Sequence, residues 1–134
     1  MREILFRGKD FSGVINHSWC FGSLDTTEDD RTIIIYPDRF GNKCRIFVNP
    51  ETVGQYTGLK DKNGTKIFEG DIVKRFWFGK MCIYQIDYDN GLASFIGRAG
   101  MEFTTFDYDS AEFEVVGNIH DNPELLRGND NAER

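Results

Sequence analysis

Cysteine is scarce in this chain, and what there is does not pair. Cys20, Cys44 and Cys82 are odd in number, far apart and never in a CxxC spacing. A disulfide framework and a zinc site with closely spaced ligand pairs are therefore disfavoured. Three reduced, mostly buried thiols are expected instead. Proline occurs three times and histidine twice in 134 residues. Long apolar runs are missing. The stretch Ile4–Phe6 is too short for a signal-peptide core, and nothing approaches the roughly 20 apolar residues of a spanning helix. These absences predict a cytoplasmic chain with no membrane partner. Hydrolase signatures of the GxSxG and HExxH kinds and phosphate loops of the GxxxxGK kind are absent too. No cofactor is implied.

Cations are missing from the second part. Residues 1–80 carry 13 Lys/Arg against 11 Asp/Glu, whereas residues 81–134 carry 3 against 11. Nonspecific nucleic-acid binding rests on clustered cations facing phosphates. The nearest cluster, Lys60, Lys62 and Lys66, is diluted by Asp61 and Glu69 around a predicted turn. No nonspecific nucleic-acid binding is expected.

Aromatic residues are plentiful: 12 Phe, 5 Tyr and 2 Trp. That content excludes a disordered chain and favours pleated, half-buried strands. Predicted strands are Arg2–Arg7, Thr32–Tyr36, Cys44–Val48, Asp71–Phe78, Met81–Tyr88, Leu92–Arg98, Met101–Phe106 and Phe113–Ile119. The stretch between Gly8 and Leu24 reads as loop-rich, and Thr26–Arg31 as an exposed connection. Phe40-Gly41-Asn42-Lys43, Asn63-Gly64, Gly79-Lys80 and Asp89-Asn90-Gly91 read as reversals. Tyr56–Leu59 and Thr65–Phe68 can pair around Lys60–Gly64. Asn122-Pro123-Glu124-Leu125-Leu126 suits one helical turn, and Gly128–Arg134 a disordered tail. Strands with turn signals about every ten residues predict a mainly β fold, a small barrel or sandwich. An α+β domain, with Val14–Phe21 or Pro50–Gln55 as a short helix, is the alternative.

Between Pro50 and Val73 the chain reads PETVGQYTGLKDKNGTKIFEGDIV. Together with ILFRGKD near the start, Trp19 with Gly22-Ser23-Leu24, and EVVGNIHDNPELL near the end, this segment resembles the YopX-like family of bacteriophages and prophages. The likeness runs along almost the whole chain and is least informative over Asp25–Asn49. It implies an SH3-like barrel in the second region and no established activity, and it carries over no catalytic or ligand residue. The physical reading agrees: Glu69-Gly70-Asp71 turns the chain sharply into the strand at Ile72-Val73. The expected organisation is an N-terminal β region over 1–50, an SH3-like barrel over 51–121 and a terminal turn and tail over 122–134.

Few residues suggest chemistry. Asp87-Tyr88-Asp89 and Asp107-Tyr108-Asp109 repeat one triplet, and four carboxylates at one rim could bind Mg²⁺ or Ca²⁺; turn-entering strand ends are the commoner use. His120 beside Asp121 could form an oriented base, although sequence neighbours rarely face each other. His17 has no marked partner. The richest feature is the predicted hairpin bearing Phe76, Trp77, Phe78, Tyr84 and Tyr88, flanked by Lys74 and Arg75. A single-stranded nucleic-acid platform is one reading; core packing on one face and a protein contact on the other is preferred. Strand faces that are apolar on both sides suggest self-association or a protein partner. The expectation is a non-enzymatic, protein-binding or self-assembling phage accessory protein. Phe76, Trp77, Phe78 and Tyr84 are its candidate contact residues, and its partner is a second copy or an unidentified phage or host protein. The alternatives are a nucleic-acid-associated protein and, behind it, a metal-dependent enzyme using the aspartates.

Overall fold

The computed structural model of the chain describes residues 2–105 and 112–127. It contains two compact units, Met1–Tyr56 and Thr57–Arg134. The described strands are β1 (Phe6–Lys9), β2 (Trp19–Thr26), β3 (Thr32–Pro37), β4 (Lys43–Phe47), β5 (Gly54–Lys60), β6 (Lys66–Phe68), β7 (Asp71–Trp77), β8 (Lys80–Asp89), β9 (Ser94–Ala99), β10 (Glu102–Thr104) and β11 (Glu114–Asn118). Single 3₁₀ turns cover Pro50–Thr52 and Pro123–Leu126. The fold is mainly β, as the aromatic and β-branched content requires.

The strands form two antiparallel sheets, ordered β4-β3-β2-β1-β5-β6 and β10-β9-β8-β7-β11. The expected small barrel is thus not closed among the described strands.

In the first unit, Cys20, Ile34, Ile46 and Val48 make a core, with Phe6, Ile15, Tyr36 and Val53 packed on it. Burial and the nearby Asp10 charge push the Cys20 thiol up to about 11, so it is an inert core thiol rather than a nucleophile. The stretch read as loop-rich contains most of β2, which runs on to Thr26. Only Cys20 among its eight residues is buried, so it shows no apolar alternation. Its place is set by pairing, Phe6 with Gly22 and Ser23 with Ile35. Gly22 is needed there, because a Cβ would lie 2.1 Å from the Ile35 carbonyl oxygen.

The second unit is centred on Ile67, Val73, Tyr84, Ile86 and Phe113. Successive residues of β7 point to opposite faces. Val73, Arg75 and Trp77 share one face and Ile72, Lys74 and Phe76 the other, as the sequence alternation predicts. Asp61 organises the turn after β5: its Oδ1 accepts from the Asn63 and Thr65 N–H groups, each at 2.9 Å. Its Oδ2 accepts from the Val115 N–H of β11, also at 2.9 Å. The Glu69–Asp71 turn places Gly70 at φ 92°. Gly70 N–H donates to Ile86 O and its carbonyl accepts from Ile119 N–H. The expected tail, Gly128–Arg134, lies outside the described residues.

Candidate partner-binding surface

Pairing of Phe76 with Met81 and of Trp77 with Lys80 closes β7 and β8 around a two-residue turn. Its centre is Phe78-Gly79, one residue before the predicted Gly79-Lys80. Both central residues have positive φ, 52° and 75°. Two such residues match the right-handed twist of the strands, which is why Asn-Gly is the usual choice. A phenylalanine in the first place is unusual, since a side chain in left-handed backbone costs about 1–2 kcal/mol. Phe78 nevertheless sits there with 91% of its surface exposed.

It is not alone. Phe76 on β7 and Met81 on β8 are directly opposed and exposed at 64% and 41%. Because β7 to β10 run antiparallel in order, the turn between β9 and β10 lies at the same end of the sheet as the Phe78 turn. It contributes Met101, and Phe103 follows on the face shared by Phe76 and Met81. Met101 and Phe103 are both exposed. Trp77 is partly exposed on the opposite face and meets Phe78 edge-on, with centroids 4.9 Å apart. Several large apolar groups thus gather at one end of one sheet instead of being scattered singly.

Tyr84 does not belong to that surface. Its register partner is the core residue Val73, it is 8% exposed, and its ring packs edge-on against Phe113 at 5.9 Å. Burial raises its phenol pKa, against a hydrogen bond from Arg75. This corrects the sequence-based set: Phe76, Trp77 and Phe78 are at the surface, and Tyr84 fills the core. Met81, Met101 and Phe103 were missed. The Ala99-Gly100 break beside Met101 is the signal that marks the hairpin of Met101 and Phe103.

Beneath the surface, Arg75 is buried among rings. Its guanidinium lies 4.3 Å from the Trp77 centroid, 4.9 Å from Phe113 and 5.5 Å from Tyr84. Thr104 Oγ1 accepts from it at 3.3 Å and Glu112 lies 3.9 Å away. Cation–π attraction there fixes Trp77, the inner support of the tip.

The other candidates have structural partners. Arg98 donates from Nε to Asp87 and from its terminal nitrogen to Asp89, each at 2.9 Å. The Leu92 N–H bond and the Arg98 guanidinium hold the Asp89 carboxyl below the usual range. Asp107 and Asp109 lie outside the described residues. Among the described residues, no three His, Cys, Asp or Glu side chains are grouped to hold a metal ion. The His17 ring bonds the Asp10 carbonyl oxygen at 2.9 Å, and its N–H and those of Ser12 and Ile15 converge on the Asp10 carboxylate. That histidine locks a loop. His120 N–H donates to Asn118 Oδ1, while Asn118 Nδ2 donates to Asp121, so the His120–Asp121 pair is built into a turn. Lys62 pairs with Glu114 at 3.1 Å, a contact that draws it away from any cationic cluster.

Among the described residues, no helix is long and apolar enough to cross a membrane. No curated protein matches the chain. A solved structure, the crystal structure of protein EF1440 from Enterococcus faecalis, is similar at 24% identity and a TM-score of 0.55, over 94% of this chain and 99% of that one. That likeness supports the fold. A family model, described as YopX protein, matches residues 6–127. The chain belongs to the YopX family.

Proposed function

We propose that this is a non-enzymatic, protein-binding accessory protein of a bacteriophage or prophage, working in the cytoplasm of the bacterial host. It grips its partner with the aromatic tip of the β7–β8 hairpin. One observation carries the reading: Phe78 occupies a left-handed turn position at φ 52° and is 91% exposed. The fold gains only the edge contact with Trp77 from that choice. Asparagine would meet the backbone requirement at lower cost, and solvent would receive a polar group instead of a phenyl ring. Residues held in unfavourable backbone regions concentrate where a protein binds or switches. The neighbours Phe76, Met81, Met101 and Phe103 extend the apolar area, and large aromatic anchors dominate protein interfaces.

Affinity capture from infected or lysogenic cells tests this reading, run in parallel with wild type and a Phe76→Ser/Phe78→Asn double variant. The expected result is a discrete protein retained by the wild type and lost from the variant, with both baits folded. Equal retention by the two baits would refute the assignment of the tip.

A further inference from the structure

The first unit carries an apolar cavity that none of the foregoing uses. Its volume is about 220 Å³, and Phe11, Phe47, Val48 and Pro50 line it together with Asp30, Arg31 and Thr32. Apolar cavities of about 150 Å³ admit a benzene molecule, so this one has room for a phenyl ring. Val48 is a core residue, whereas Phe11 is 62% exposed; the site has a fixed floor and an open wall. The guanidinium of Arg31 lies 3.7 Å from the Phe47 ring centroid, which turns that cation onto the ring.

Asp30 ends an acidic run, Glu28-Asp29-Asp30, all exposed. Hydrogen bonding from the Thr27 hydroxyl keeps Asp29 ionised to lower pH than usual. The β7–β8 tip carries a cation: exposed Lys80 follows Phe78-Gly79. An exposed phenyl ring with a lysine beside it suits, in size and charge, an apolar cavity next to the carboxylates of Glu28, Asp29 and Asp30. Such complementarity selects partners and orients their encounter.

We propose that the occupant of this cavity is a second copy of the same chain, which inserts Phe78 while its Lys80 faces Glu28-Asp29-Asp30. The contact is heterologous, tip to cavity, so each copy presents both halves of the interface. The proposal rests on the reading of the tip as a binding element and names its partner.

Complementation between two variants tests it, with mass measured by light scattering after size exclusion at about 100 µM. Phe78→Asn removes the tip, and Phe11→Ser opens the cavity wall. Both positions are exposed, and Asp30→Asn serves as a second cavity variant because asparagine tolerates its φ of 66°. Wild type should associate above its 15.4 kDa chain mass. Each variant alone should associate about ten-fold more weakly, the loss expected of a buried aromatic anchor. Their equimolar mixture should restore association, because the intact tip of one meets the intact cavity of the other. Monomeric wild type, or a mixture no stronger than its components, would overturn the proposal. So would a Phe11→Ser protein that associates as wild type does while Phe78→Asn does not, which places the tip on some other surface. Loss of a captured foreign protein on Phe78→Asn, with purified wild type monomeric, would retain the tip as a binding element and remove only the self-pairing.

Discussion

Asp61 joins two parts of the second unit that are 54 residues apart in sequence, Asp61 on the turn after β5 and Val115 on β11. Its side chain is 6% exposed and accepts three backbone N–H bonds, all at 2.9 Å. Replacing it with alanine removes every one. Hydrogen bonds to a charged group contribute about 1.5–3 kcal/mol each when the donor is left buried. Asn63 and Thr65 lie in an exposed turn, where water can replace the lost acceptor, so each of those losses falls to about 0.5 kcal/mol. The Val115 bond should cost near the full amount. The expected loss for Asp61→Ala is therefore about 3 kcal/mol. With a urea m-value of about 2 kcal/mol/M, the unfolding midpoint should fall by about 1.5 M. Asp61→Asn keeps one acceptor oxygen and should fall between the two. Burial alone would raise the Asp61 pKa, but the Val115, Thr65 and Asn63 bonds and the Lys62 charge outweigh it and lower the value. The ionised form is thus the stabilising one. Its contribution is present above the ordinary carboxylate range and is lost as pH falls through the lowered folded value. Wild type should lose stability across that acid window more steeply than Asp61→Asn. An Asp61→Ala midpoint within about 0.3 M of wild type would show that the 54-residue link carries no energy.

Three further outcomes follow from the same geometry. Gly70→Val forces a branched residue to φ 92° and should cost on the order of 1–3 kcal/mol in denaturant melts, with an unchanged midpoint contradicting a strained turn. Phe78→Asn should leave stability within about 0.5 kcal/mol of wild type or raise it by up to about 1 kcal/mol, because relief of the left-handed phenylalanine offsets the lost Trp77 edge contact. A loss above about 1 kcal/mol would make Phe78 a structural residue. Random-sequence duplex DNA should give no mobility shift below roughly 10 µM protein at about 150 mM salt, and a salt-sensitive shift there would restore the nucleic-acid reading.

How much of this was legible in the sequence depended on the range of the interaction. Alternation alone divided β7 into Val73, Arg75 and Trp77 against Ile72, Lys74 and Phe76, and the DKNG segment announced the turn that Asp61 caps. The bond from Asp61 to Val115 has no sequence signal, because nothing local to either residue requires the other. The strand β2 escaped notice for a different reason: with one buried residue in eight, it is held by its neighbours' hydrogen bonds rather than by an apolar face. Sequence alone groups Tyr84 with Phe76, Trp77 and Phe78, because the aromatic residues of one hairpin carry no local mark of which face each takes. Its burial follows from register, which pairs it with Val73 and turns it inward. The exposed apolar cluster was legible only in the half that one hairpin supplies. Met101 and Phe103 join it through sheet order, which places two turns at one end.

The most direct test of the central claim is site-specific photo-crosslinking in lysogenic or infected cells. A photoreactive phenylalanine analogue would replace Phe78 in one protein and Phe40, a phenylalanine 81% exposed in the other unit, in a second. A discrete protein adduct is expected from position 78 and none from position 40. Adducts of equal yield from both positions, or none from position 78, would contradict it.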